Sequence, residues 1–189
     1  MPREYRGIAK EILLYLATAG GVLIAATSPY FLLNIAKGII RNRKYIKKKL
    51  DEREIAKILE RLRRNRLIIL SEGDGKFKVE LTEKGKRKVK EIQFKNMKIE
   101  KPKVWDGKWR VVIFDIPEKY KKRARDALRE KLKELDFYPL QKSVWVIPYP
   151  CEKEIQFLIE LFNISQYVNI ILAENISNDL KLRKHFKLL

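Results

Sequence analysis

Cysteine and histidine are almost missing from this sequence: its 189 residues contain one of each, Cys151 and His185. A single cysteine rules out an intrachain disulfide and any zinc cluster built on several thiolates. A single histidine, placed in a basic carboxy-terminal tail, leaves no basis for a His-based metal site or for Ser/His or Cys/His catalysis. His185 therefore reads as an exposed tail residue. Cys151 reads as structural because it has no base partner, although a place near a helix N-terminus would pull its pKa down. Such sparing use of cysteine fits a cytoplasmic protein.

Acidic residues are the next shortage. Forty-three Lys and Arg face only 24 Asp and Glu, a formal charge of +19, which points to a polyanionic partner such as nucleic acid or an acidic membrane. The excess is uneven, at +13 over residues 1–100 and +6 over residues 101–189. Long uninterrupted hydrophobic runs are lacking too. Residues 12–36 carry no charge and are long enough to cross a bilayer, but Gly20-Gly21 and Thr27-Ser28-Pro29 break them into a turn and a helix start. Two buried core helices are expected there, with a membrane segment over 12–36 as the minority alternative.

What is present in the front half is a patterned helix. From Asp51, the residues Ile55, Ile58, Leu59 and Leu62 recur at the spacing of one helical face, and Asp51 with Glu54 forms a capping box. Arg53, Lys57, Arg61 and Arg64 fall on a stripe opposite that face. Two strand-like runs follow, "LIIL" (67–70) and "FKVEL" (77–81), with Gly73-Asp74-Gly75 as their turn, and Thr82 caps "EKGKRKVKEI". The order helix, helix, basic helix, hairpin, helix outlines a winged helix-turn-helix over residues 1–95. In that fold the stripe would face the major groove, and Lys76 and Lys78 would reach the backbone from the wing. The clusters "RNRKYIKKK" (41–49), which includes Lys47 and Lys48, and "KGKRKVK" (84–90) would add phosphate contacts. The bland alternative is a solvated charged face, which Glu52 and Glu60 dilute.

Residues 96–107 lack periodicity, contain Pro102 and Gly107, and read as a linker. Beyond them strands alternate with helices. "WRVVIFDI" is a strand, and Tyr120, Ala124, Ala127, Leu128, Leu132 and Leu135 mark an amphipathic helix. "FYPLQKSVWVIPYP" is a hairpin, Ile155, Leu158, Ile159 and Phe162 mark a second helix, and "YVNIILAE" (167–174) is a last strand. The βαββαβ order over residues 108–189 is the ferredoxin-like plan, so the expected class is α+β, a winged helix followed by a ferredoxin-like dimerisation domain. Trp105, Trp109, Trp145 and Tyr149 invite a base-stacking reading, but Trp109 and Trp145 sit in apolar strands and fit core or interface packing better.

"RVVIFDIPEKYKKRARDALREKLKELDFYPLQKSVWVIPYP" (110–150) resembles the central domain of the PaaX-type transcriptional repressors, itself similar to the small CRISPR-associated endonuclease of the spacer-integration complex. The resemblance implies a homodimer that represses transcription by binding double-stranded DNA through the winged helix. The sequence stops after "KLRKHFKLL" (181–189), short of the family's third domain, so no acyl-CoA response is carried over. The nuclease relatives have an Asp at the end of their first strand, where Asp115 stands. Two symmetry-related copies of Asp115 would then hold one Mg²⁺ or Mn²⁺ for phosphodiester chemistry. Against this, no second carboxylate follows the "QKSVW" strand and no histidine is available as a base, so one carboxylate per subunit makes a thin site. The plainer reading has Asp115 capping the entry to the next helix. A regulator without a cofactor is thus the main expectation. A metal-dependent nuclease or CRISPR-adaptation subunit is the enzyme rival, and a DNA-bridging scaffold without sequence preference is the third.

Overall fold

The computed structural model describes residues 3–25, 52–74 and 76–188, and the chain divides into two compact units, Met1–Lys95 and Asn96–Leu189. In the first unit, α1 (Arg3–Thr18) buries Ile8, Ile12, Leu13 and Leu16. It ends where Gly20 and Gly21 take φ of 80° and 83°, a left-handed backbone that glycine adopts without a Cβ penalty. The second core helix was expected to begin at Ser28 and Pro29, beyond this turn. Ahead of it, Val22–Ala25 form strand β1, which the sequence reading did not assign, because the aliphatic run emerging from the glycine turn finds an open partner in β3. That expected helix start at Ser28 and Pro29 falls outside the described residues, as do Lys47, Lys48 and the capping Asp51.

Helix α2 (Glu52–Arg64) buries Ile55, Ile58, Leu59 and Leu62, the face its spacing predicts. Truncating any one of them to Ala would cost about 2–5 kcal/mol. Strands β2 (Ile68–Gly73) and β3 (Lys76–Leu81) pair from Ile68↔Leu81 to Gly73↔Lys76, and Asp74 in the tight turn has φ 52°. The three strands lie in the order β1-β3-β2, all antiparallel. Helix α3 (Glu83–Asn96) starts at Thr82, whose Oγ1 accepts the Gly85 N–H at 2.9 Å and donates to the Arg66 carbonyl at 2.6 Å. These elements close on one core that joins α1, α2, Ile68, Val79, Leu81 and Val89.

The second unit runs β4 (Trp109–Phe114), α4 (Glu118–Glu134), β5 (Tyr138–Gln141), β6 (Val144–Ile147), α5 (Glu152–Phe162), β7 (Val168–Ala173) and α6 (Asp179–Phe186). Its antiparallel sheet has the order β5-β6-β4-β7, which fits the ferredoxin-like plan. Trp109, Val111 and Val146 share one face with Leu182 of α6. Val112, Phe114, Trp145 and Ile147 point to the other face, where α4 contributes Leu128 and Leu132 and α5 contributes Ile155, Leu158 and Ile159. Tyr120 departs from the expected helix face: it is 78% exposed, because non-helical dihedrals at Lys121 kink α4 and turn its first residues out of register.

Helix α6 also replaces the expected loose tail. Asp179 accepts from Trp109 Nε1 at 3.0 Å and from Arg183 Nε at 2.6 Å, and the Arg183 guanidinium stacks 4.7 Å from the Trp105 ring centroid. His185, exposed as expected, has its ring edge-on to Tyr138. Buried Arg110 forms a bidentate pair with Asp106 at 2.8 and 2.6 Å and donates to the Pro148 carbonyl at 3.1 Å.

Two outcomes follow from this packing. A Cβ on Gly85 would fall inside van der Waals contact of the Leu67 carbonyl, a backbone atom that cannot swing away. Gly85→Ala should therefore destabilise the first unit by about 1–3 kcal/mol or more, read as a lower melting temperature. The Asp106 carboxyl is held at a pKa of about 2, chiefly by its hydrogen bonds from Arg110, against an ordinary 3.8. A depressed folded-state pKa means that the stabilisation is present above pH 3.8 and is lost as pH falls toward 2. The gap in melting temperature between the protein and its Asp106→Asn variant should accordingly close across that window.

Candidate nucleic-acid interface

The anchored side of α2 dictates where its charges go. With Ile55, Ile58, Leu59 and Leu62 buried, Arg53, Lys57, Arg61 and Arg64 are all exposed on the opposite side. Among the described residues none of the four makes an ion pair. Arg63 is the exception on this helix, since its Nε and Nη2 bind both oxygens of Glu60 at 2.9 Å and the pair lowers the Glu60 pKa. The acidic dilution that Glu60 brings is thus taken up chiefly by Arg63, with Arg64 of the stripe acting on it more weakly.

Beside the helix, Lys76 is exposed at the start of β3, while Lys78 is held by Glu80 at 2.7 Å. That pair is partly solvated and weak, so it leaves Lys78 open to exchange for another anion at little cost. In the run 84–90, Lys86 is paired with Glu83 and Lys88 with Glu91, both at 2.7 Å. Glu91 is held at a pKa of about 2, first by its bond from Lys88 and then by that from Lys95. Lys84, Arg87 and Lys90 are in no ion pair among the described residues, although Arg87 and Lys90 add to the lowering of the Glu83 pKa that Lys86 leads. The sequence did not single out Arg6 and Lys10 of α1. They rim a cleft of about 580 Å³ with Arg61 and Lys88, floored by Leu13, Ile58, Leu62 and Ile92. Two cations one helical turn apart at the front of α1 were the only available signal.

The second unit holds the remaining candidates. Asp115 is exposed at the end of β4, and its backbone N–H donates to the Tyr167 carbonyl at 2.9 Å. It does not cap α4: Pro117 occupies the N-cap position and no side chain makes a capping bond there, because the proline ring already fixes the entry dihedral. Among the described residues no three of His, Cys, Asp and Glu gather as a metal-binding group. Trp109, Trp145 and Tyr149 are buried and cannot stack on bases. Cys151 does sit at the N-terminus of α5, but it is fully buried, and burial followed by the charge of Glu152 pushes its pKa to about 12. Desolvation outweighs the helix dipole here. Among the described residues no helix is long and apolar enough to cross a membrane.

Residues 102–184 match the family model of the PaaX protein central Cas2-like domain. Most of the second unit is thus similar to the PaaX central Cas2-like domain. The resemblance seen in residues 110–150 is thereby shown. No curated protein matches the chain. Among solved structures it is similar to the uncharacterized protein Rv0674 from Mycobacterium tuberculosis, with 17% identity and a TM-score of 0.38. That likeness covers 95% of this chain and 65% of the other, so the chain spans less than two thirds of that protein's length.

In this Cas2-like unit Cys151 should be inert to Ellman's reagent at pH 8 until the protein is denatured. The sign of its titration is also set. The folded state keeps a proton that the unfolded chain loses above pH 9, so its contribution to stability falls between pH 9 and about 12.

Proposed function

We propose that this protein is a cytoplasmic, homodimeric regulator that represses transcription by binding double-stranded DNA through its first unit, used as a winged helix. The observation that carries the reading is the α2 stripe. Four exposed cations, none of them in an ion pair among the described residues, lie along a helix whose other side is locked into the core. The β2–β3 hairpin beside it brings Lys76 and Lys78, and α3 brings Lys84, Arg87 and Lys90. An exposed helix flanked by a basic hairpin suits a major groove with a phosphate rail on either side. The PaaX-type second unit supports the same conclusion at the level of the family.

Within this reading the cations divide by task. Arg61 and Lys57, in the middle of α2, reach base edges, where one Arg–guanine pair discriminates by about 1–3 kcal/mol. Lys76 and the α3 lysines touch phosphate, and each such contact contributes about 0.9 to the slope of log K against log salt. In a gel shift on a duplex from the protein's own promoter, with random duplex as competitor, Arg61→Ala should weaken specific retention about tenfold or more. Lys76→Ala should weaken specific and random duplex alike and reduce the salt slope by about 1. Unchanged affinity in Arg61→Ala would falsify the assignment of α2 as the recognition helix.

A further inference from the structure

The cleft between α1, α2 and α3 sorts its lining by chemistry. Leu13, Ile58 and Leu62 lie buried at its floor, and Ala9, Leu67 and Ile92 are half-buried along its walls. All six are aliphatic. Among the described residues no aromatic ring and no acidic side chain lines it. Its rim carries Arg6, Lys10, Arg61 and Lys88. Lys88 is engaged by Glu91 at 2.7 Å, whereas Arg6, Lys10 and Arg61 are in no ion pair among the described residues.

This division says what the cleft can hold. Its volume of about 580 Å³ lies within the range of about 300–1,000 Å³ typical of small-molecule sites. The floor offers no hydrogen-bond partner, so the body of an occupant has to be apolar to be buried there without loss. With no ring to stack on, the walls suit a methylene chain. Arginine and lysine only donate, so the head of the occupant has to accept, and a charged acceptor is bound the more strongly. Two other occupants carry the wrong sign. A second copy brings a formal charge of +19, and the run 37–49 of this chain has lysines and arginines but no acid.

We propose that the cleft binds a single-chain fatty acid, with its carboxylate at the rim among Arg6, Lys10 and Arg61 and its chain along Leu13, Ile58 and Leu62. Arg61 also belongs to the α2 stripe. A carboxylate at the rim draws that guanidinium away from a base edge, so acid and duplex weaken each other's binding by the same factor. This consequence rests on the regulator reading, but the site itself does not.

The site is therefore tested on the full chain without DNA, by calorimetric titration with octanoate, 1-octanol and octyltrimethylammonium. Octanoate should bind once per chain and about tenfold or more tighter than either control, because only its head makes charge-assisted hydrogen bonds with the rim. Octanol or the cationic amphiphile binding as tightly, or octanoate failing to saturate, overturns the proposal. Arg6→Glu combined with Lys10→Glu should weaken octanoate by about tenfold or more with an unchanged circular dichroism spectrum. A folded double variant that binds octanoate like the original protein also overturns it. Should that variant fail to fold, the comparison of head groups on the unaltered chain decides. In the promoter gel shift, saturating octanoate should release the duplex, and undiminished retention would overturn the sharing of Arg61. Octanoate bound by a protein that never binds duplex would uphold the cleft and sink the regulator reading.

Discussion

The burial of four aliphatic side chains on α2 is the constraint from which the rest of the interface follows. Ile55, Ile58, Leu59 and Leu62 leave the helix one orientation in which they are dry, and that orientation turns Arg53, Lys57, Arg61 and Arg64 outward. At about 2–5 kcal/mol for each truncated aliphatic, no repulsion among four solvated and screened charges outweighs the packing. The stripe is therefore held in place by residues that touch nothing but the protein's own interior. Pairing refines it. Arg63 absorbs Glu60, and Lys88 and Lys95 share Glu91, so the cations left over are fewer than the composition suggests but better aimed.

The same logic separates the two sides of the second unit. Its strands carry tryptophans and aliphatics toward both layers, and the charges that enter are matched as they enter. Arg110 is the clearest case: deeply buried, it is tolerated because Asp106 grips both nitrogens of its fork and the Pro148 carbonyl takes a further bond. Helix α6 is held by a comparable arrangement, with Asp179 between the Trp109 indole and Arg183. Cys151 shows how a single environment reverses an expectation. A helix N-terminus favours the thiolate, yet a site with no solvent favours the thiol more strongly.

Much of this was legible in the sequence because its periods were clean. The 3.6-residue pattern of α2, the Thr82 cap, the hairpins and the βαββαβ order were each written in local residues. What was not legible depended on distant partners. "VLIA" is aliphatic enough for either helix or strand, and β3 decided the matter. Tyr120 fits the spacing of the α4 face, but the kink at Lys121 arises where that helix enters, outside the reach of a periodicity argument. Helix α6 is eight residues long and rich in lysine and arginine, so its docking through Leu182 and Phe186 was hidden in what looked like a charged tail. At the candidate site the stripe itself was readable. Which cations were already paired was not, since Lys78–Glu80 and the double claim on Glu91 depend on side-chain geometry.

The most direct test of the central claim is a lysine-acetylation footprint of the intact protein, read by mass spectrometry with and without a promoter duplex. The account predicts that the duplex protects Lys57 and Lys76 and leaves Lys119 and Lys122 of α4 as reactive as before. Protection confined to α4, with Lys57 still modified at its free rate, would contradict it.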